Sequence, residues 1–340
     1  MMTLKEKKAA LVALGLSLTD FNDEYWTDQI ELATAHNRWF NKENIIFALE
    51  GVRDYMLDSF KLDQWLAAYD LNEKVGGKKI GLILAGNLPL VGFHDILSCF
   101  VSDHIAHIKL SEKDSVLIKA LLAKLISIEP KAQPYFEFVE RLNNMDGVIA
   151  TGSNNSARYF ETYFAKQPHI IRKHRNSIGV LHKDDHMETI LKMGKDIFIH
   201  FGLGCRNVSK LLIPRNFPLE MVMEGLHEYN FVNLHDKYKN NFDYNIAVYM
   251  LNKVKYLNNG SVMLCEDASL TSRIATLNYE IYEDEVDLET KILPFTDQIQ
   301  CVVSSKPLPF VQTVLPGFAQ TPELWDYADN VDTIHFLNQI

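Results

Sequence analysis

Residues 79–115 read KIGLILAGNLPLVGFHDILSCFVSDHIAHIKLSEKDS. The first eight, KIGLILAG, are a short run of strand formers ended by Gly86. GFHDILSCFVSDH (92–104) then reads as a helix, and IAHIKLS (105–111) returns to strand character. Strands alternating with helices through short turns imply a parallel sheet wrapped by helices.

The alternation continues on the C-terminal side. Leu117, Leu121, Leu125 and Ile128 fall on one helical face, which Pro130 closes. Ser111 and Asp114 have the spacing of a capping box at its start. GVIATGS (147–153) reads as a strand, with Ala157, Phe160 and Phe164 lining the helix behind it, and NSIGVLH (176–182) as another strand.

In a second block, Ile190, Ile197, Phe198 and Phe201 line a helix that runs into the turn of Gly202 to Cys205, and VSKLLIP reads as a strand. Helices near 217–229 and 240–255 and strands at 261–265 and 299–303 follow. The acidic stretch EIYEDEVDLE, within 280–290, reads as a solvated loop or edge. On the N-terminal side, residues 1–70 look mostly helical, with Trp26, Trp39 and Trp65 as bulky packing groups, and DLNEKVGGKK (70–79) reads as a connector. The fold class is therefore α/β, with parallel sheets behind a helical N-terminal segment.

Bulk properties narrow the function. A chain of 340 residues, 47% hydrophobic and 23% charged, has ample material for a core. A net charge of -10 argues against a nucleic-acid partner, although a local basic patch could hold a small phosphorylated ligand. No apolar run approaches the roughly 20 residues of a membrane span, and the N-terminus lacks a signal-peptide pattern. Cys99, Cys205, Cys265 and Cys301 are widely spaced without a CxxC, so neither a disulfide framework nor a metal site is expected. The cytoplasm is the default compartment.

Ligands of parallel α/β sheets sit beyond the carboxyl ends of the strands, where AGN, KLSE and TGS fall. Asn87 is either a turn former or a donor aimed at a developing oxyanion. Lys109 and Glu112, and Gly152 and Ser153 at a helix start, could meet a phosphate or ribose, or could be plain strand ends and caps. No GxGxxG fingerprint supports a standard dinucleotide turn. The run IIRKHRNS (170–177) reads as a solvated strand end that could also meet a phosphorylated ligand. Cys99, Cys265 and Cys301 sit in apolar runs and read as buried packing groups. Cys205 differs: its neighbours are glycines and a cationic arginine, in GLGCRN, a setting that favours thiolate. Nucleophile and packing residue both remain open from this segment alone. No histidine pattern suggests a metal or marks a base.

Five motifs occur in order: LAGNLPLVGFHDIL, IKLSEKDS, IATGSNNSARYF, KHRNSIGVL and GLGCRNVSKLLIP. Together they resemble the aldehyde dehydrogenase superfamily, and within it the LuxC-type acyl-CoA (fatty-acyl) reductases. The closing QTVLPGFAQTPELWDYADNVDTIHFL is similar to the same branch. The resemblance spans roughly residues 80–340. It implies an aldehyde-dehydrogenase-like fold: helices and a nucleotide-binding domain over 1–175, a catalytic cysteine domain over 176–310, and a segment, 311–340, packing back on the first domain.

It also implies roles. Cys205 matches the catalytic cysteine, Asn87 the oxyanion-hole asparagine, Lys109 and Glu112 the positions facing the adenosine ribose, and Gly152 and Ser153 the turn against the nucleotide. Where hydrolytic aldehyde dehydrogenases carry a glutamate base in LELGGKS, this chain has IRKHRNS. That departure suits a reductase that exchanges acyl groups with a thiol rather than water. The branch implies NADPH; a glutamate at 112 tends to repel a 2′-phosphate, so NADH stays open, with Lys113 a compensating cation. The implied activity is reduction of a long-chain acyl-CoA or acyl-protein thioester to a fatty aldehyde, with an acyl-activating ligase as a partner. A homo-oligomer is left open. Two rival functions are a cysteine-dependent acyltransferase or thioesterase and a non-catalytic acyl-binding partner of such a ligase.

Overall fold

The computed structural model describes residues 2–71 and 77–340. The middle of the connector DLNEKVGGKK, 72–76, lies outside the described residues. The chain divides into two compact units, Met1–His174 with Pro322–Ile340, and Arg175–Thr321.

The first unit begins with four helices, α1 (Leu4–Ser17), α2 (Glu24–His36), α3 (Lys42–Gly51) and α4 (Ser59–Leu66). Each starts where a polar side chain, from Thr3, Asp23, Asn41 or Asp58, accepts a backbone N–H of the first turn. Their apolar sides, including Leu14, Trp26, Leu49 and Trp65, join one core with the sheet behind them. Strands of that sheet alternate with helices except between β3 and β4, which a loop joins: β1 (Lys79–Ile83), α5 (Phe93–Val101), β2 (Ile105–Lys109), α6 (Leu117–Ile128), β3 (Phe136–Phe138), β4 (Gly147–Thr151), α7 (Asn154–Tyr163) and β5 (His169–Arg172). All pairings are parallel, in the order β3-β2-β1-β4-β5. Strands covered on both faces need no polar alternation, which is why KIGLILAG reads as a continuous apolar run.

The second unit holds β6 (Asn176–Val180), α8 (Met187–Phe198), β7 (Val208–Pro214), α9 (Leu219–His227), α10 (Asp236–Leu251), β8 (Tyr256–Asn258), β9 (Met263–Glu266), β10 (Thr276–Tyr282), α11 (Glu285–Ile292), β11 (Ile299–Ser304) and β12 (Thr313–Val314). Its sheet runs β12-β11-β6-β7-β10-β9-β8, parallel except for the antiparallel β8–β9 pair. A last helix, α12 (Thr333–Leu337), belongs to the first unit, whose core takes in Leu324, Tyr327, Ile334 and Leu337. The second unit runs to Thr321 and includes β12, which pairs with β11.

Three expectations need correction. Ser111 and Asp114 do not box the start of α6. Ser111 caps a short 3₁₀ turn, Glu112–Asp114, and Val116 begins α6 without a side-chain cap. The acidic stretch is not an edge, and only two of its residues are loop. Its first three residues end β10, which lies between β7 and β9; Glu283 and Asp284 turn the chain, Asp284 capping α11, and the rest forms the start of α11. Burial alone would raise the Glu280 carboxyl, but bonds from Lys210 (2.7 Å) and Lys291 (2.5 Å) outweigh it and hold the group below its usual value. Finally, IIRKHRNS is not a solvated strand end throughout. Arg172, 6% exposed, pairs with buried Asp95 of α5 and donates to Thr333 of α12 at 3.0 Å.

No described helix is long and apolar enough to cross a membrane. Among the described residues no three His, Cys, Asp or Glu side chains gather as a metal site.

Candidate active site

Three of the singled-out segments meet at one edge of the first sheet. Adjacent strands β2, β1 and β4 run in register, Ile83 facing Lys109 on one side and Ala150 on the other, so their carboxyl ends coincide. Exposed Asn87 follows β1, exposed Lys109 ends β2 with exposed Glu112 in the turn beyond, and Gly152 and Ser153 follow β4. Ser153 caps α7, its hydroxyl accepting the Ser156 N–H at 3.3 Å.

The Asn87 loop is tied down by a residue the sequence assigned elsewhere. Asp114, almost wholly buried, accepts the Leu90 N–H through Oδ2 at 2.8 Å, and Leu90 has a left-handed backbone (φ 60°). Its Oδ1 has no hydrogen-bond partner among the described residues. Burial pushes the Asp114 carboxyl up to about 6, against the opposing pull of the Leu90 and Leu117 amides. The same turn crowds the loop from below, since a Cβ on Gly86 would stand 2.5 Å from Ser111 Oγ. One turn thus braces the loop and carries Glu112.

The second unit builds the cysteine turn. Helix α8 ends at Phe198, and His200 (φ 56°), Phe201 (φ 58°) and Gly202 (φ 74°) follow in succession with left-handed backbones. For a residue other than glycine that conformation costs about 1–2 kcal/mol, so packing and hydrogen bonds must hold it. Asn207 does so: its Nδ2 donates to the carbonyls of Asp196 (2.9 Å), Ile197 (3.3 Å) and Ile199 (2.8 Å), and its Oδ1 accepts the Gly204 N–H (2.8 Å). Cys205, half-buried, sits inside this clamp, and its carbonyl accepts the Ser177 hydroxyl at 2.8 Å. Asp196, at the buried end of α8, accepts the amides of Gly317 (2.6 Å) and Ala319 (2.9 Å). Burial lifts its carboxyl to about 6.

Of four cysteines, Cys205 alone is not buried. Burial drives the Cys99 thiol well above its usual value and those of Cys265 and Cys301 up to about 11. His200, next to the turn, is held neutral by burial, down to about 4.

Sequence reasoning missed Asn207, Asp196, Ser177 and the true work of Asp114. An asparagine two positions after a glycine turn was a visible signal for a local backbone clamp, yet donors reaching back eight to eleven residues are not readable from spacing. Asp196 is an acid on the buried side of α8, a signal that periodicity alone treats as an exception.

Solved structures with this architecture are aldehyde dehydrogenases. P. syringae AldA indole-3-acetaldehyde dehydrogenase, in complex with NAD+ and IAA, superposes with a TM-score of 0.66 at 12% identity, over 89% of this chain and 72% of that one. Mycobacterium tuberculosis aldehyde dehydrogenase, complexed with NAD+, gives 0.65 at 15% identity, over 89% and 73%. Aldehyde dehydrogenase C from Pseudomonas syringae, complexed with NAD+ and octanal, gives 0.61 at 14%, over 89% and 72%. The fold is thus of the aldehyde dehydrogenase type. The family model of acyl-CoA reductase (LuxC) matches residues 21–213, more than half of the chain, and the protein belongs to that family. It is accordingly an oxidoreductase acting on an acyl or aldehyde carbon. No curated protein sequence matches it.

Proposed function

We propose that this protein reduces an acyl thioester, a long-chain acyl-CoA or acyl-protein, to the aldehyde, through an acyl-enzyme on Cys205. The observation that carries the reading is that Cys205, inside the matched family segment, is the one unburied cysteine and sits in a turn held rigid by Asn207.

The chemistry follows from the residues. A Cys205 thiolate attacks the thioester carbonyl, and the substrate C–S bond breaks to release the CoA or carrier-protein thiolate, storing the acyl group as an enzyme thioester. Asn87, through its side-chain amide, and the Cys205 backbone N–H are assigned as donors to the tetrahedral oxyanion. Losing one such donor typically lowers the rate by about 100- to 1,000-fold.

At the nucleotide edge, the Glu112 carboxylate suits a ribose hydroxyl pair and Lys109 suits an anion. The N-terminal amides of α7, beside Ser153, suit a phosphate. These exposed groups fit a nicotinamide dinucleotide, NADPH by family resemblance or NADH. Such a cofactor supplies the hydride. The lack of a glutamate base in IRKHRNS keeps water from competing for the acyl group, and Arg172 within it is committed to Asp95.

The test is the intact mass of the protein after incubation with acyl-CoAs of graded length, paired with a spectrophotometric assay of NADPH and NADH consumption. Cys205→Ser should bind nucleotide yet fail to acquire an acyl adduct. An unchanged adduct in that variant discards the mechanism. Steady CoA release without any nucleotide points instead to a thioesterase.

A further inference from the structure

The second unit contains a thiol that the proposed reaction does not use, beside the one it does. Cys301 lies on β11, next to β6 in the sheet. Both neighbours of β6 are irregular at Ser177. On β11, Gln300 and Cys301 together face Ser177, because the register moves from Ile299–Asn176 to Val302–Ile178. On β7, Ser209 is the extra residue, between Val208–Ser177 and Lys210–Ile178. Bulges bend a strand and re-aim its side chains, and they concentrate next to active sites.

Here they bring two cysteines to one hydroxyl. Ser177 Oγ is 2.8 Å from the Cys205 carbonyl and 3.0 Å from Cys301 Sγ, and it also accepts the Cys301 N–H at 3.2 Å. Its single proton goes to the Cys205 carbonyl, which leaves its oxygen to accept from the Cys301 thiol. Burial pushes that thiol up to about 11, while the nearby Arg206 charge opposes the rise. Cys301 therefore stays out of the acylation chemistry and away from solvent oxidants, in reach of the Cys205 backbone.

We propose that Cys301 is the resolving thiol of Cys205: when Cys205 is oxidised, the two form a disulfide that shields the nucleophile from irreversible oxidation. The proposal rests on the reading of Cys205 as a reactive thiolate. With hydrogen peroxide as oxidant, the Cys205 sulfur attacks one peroxide oxygen, the O–O bond breaks, and hydroxide leaves and is protonated to water. Cys205 is then a sulfenic acid. The Cys301 sulfur attacks the sulfenyl sulfur, the S–O bond breaks, and the hydroxyl departs with the Cys301 proton as a second water. The two thiols lose two electrons and the peroxide gains them.

A thiol of raised pKa is a slow attacker in free solution; being held beside its target supplies the effective concentration that offsets this. The Ser177 hydroxyl gathers the Cys205 carbonyl, the Cys301 amide and the Cys301 sulfur, and the disulfide asks that the Cys205 side chain turn toward that hydroxyl.

The experiment is hydrogen peroxide treatment of the full-length protein, followed by peptide mapping under non-reducing conditions. The expected product is one cross-linked pair containing Cys205 and Cys301, with acylation capacity restored by dithiothreitol. Cys301→Ser keeps a hydrogen-bonding group beside Ser177 but has no sulfur. It should accept an acyl group as the native chain does, yet after peroxide carry sulfinic or sulfonic acid at Cys205 and recover less than about one tenth of its acylation on reduction. Sulfinic acid at Cys205 in the native chain without the cross-link, or a cross-link from Cys205 to Cys99 or Cys265, overturns the proposal. If Cys301→Ser does not fold, the native peptide map decides alone. Peptide mapping reads the sulfur directly, so a failure of reductase activity does not obscure it.

Discussion

The turn after β1 and the turn before β7 solve the same problem with different chemistry. Each presents one polar group from a backbone that bends through left-handed residues: Leu90 near Asn87, and His200, Phe201 and Gly202 before Cys205. Each is held by a buried side chain, Asp114 or Asn207, alongside a bond from Asn37 to the Gly86 carbonyl (3.4 Å) in the first and from Ser177 to the Cys205 carbonyl (2.8 Å) in the second. Asp114 gives the first loop a single bond to a backbone amide, from a carboxyl raised to about 6. Asn207 gives the second turn four bonds from a group that carries no charge at any pH. A neutral amide with matched donors and acceptors locks a backbone independently of pH, whereas a buried carboxyl makes the hold a function of protonation.

The largest test of this contrast is Asn207→Leu. It leaves three carbonyls and the Gly204 N–H without their side-chain partner in a buried turn, and each such group costs about 1–3 kcal/mol. The unfolding midpoint in urea should fall by the equivalent of roughly 3–5 kcal/mol, by similar amounts at pH 5 and pH 8. A loss below about 1 kcal/mol would show that packing, not the amide, holds the cysteine turn.

Asp114→Asn probes the other loop. The Asp114 carboxyl rises from 3.8 to about 6 on folding, so the native state binds the proton more tightly than the unfolded chain. That contribution to stability is present below about pH 4 and is lost as pH rises through 6. Asparagine cannot titrate, so the variant should gain on the native protein by on the order of 3 kcal/mol between pH 4 and pH 7. Asp196, raised to about 6, has the same sign, and His200, lowered to about 4, has the opposite one. Both cancel in the difference between the two proteins. A difference that does not change with pH removes the distinction between the loops.

The contrast also explains what could be read in advance. Periodicity exposed β1, α5, β2, α6, β4 and β6, since these are continuous apolar runs or single-faced helices whose burial follows from composition alone. β10 went unread because TLNYEIY mixes polar and apolar residues. Its acid, Glu280, is tolerated there only because Lys210 and Lys291, from two other elements, neutralise it. Arg172 was misjudged for the same reason, its partner Asp95 lying 77 positions away. The presented groups were legible as residue types at turns: Asn87, Cys205, and the Lys109–Glu112 and Gly152–Ser153 pairs. The groups that position them were not, because Asp114, Asn207 and Ser177 act through backbone atoms that only the fold brings near.

The smallest expected effects separate two uses of glycine. A Cβ on Gly86 would meet Ser111 Oγ at 2.5 Å, Ser111 Cβ at 2.6 Å and the Asp114 backbone nitrogen at 3.0 Å. Gly86→Ala should therefore cost about 1–3 kcal/mol as an overpacked contact, and Ser111→Gly in the same chain should recover most of it. Gly202 has no such neighbour: the nearest atom to its Cβ is the Ile197 carbonyl oxygen at 3.5 Å, an ordinary contact, and only its φ of +74° demands glycine. Gly202→Ala should cost about 1 kcal/mol, and removing a neighbour should not relieve it. Gly202→Asn, a residue that tolerates the left-handed region, should cost less than alanine although it is larger. If asparagine proves the worse of the two, space rather than backbone conformation selects the residue at position 202, and the two turns are built more alike than their hydrogen bonds imply.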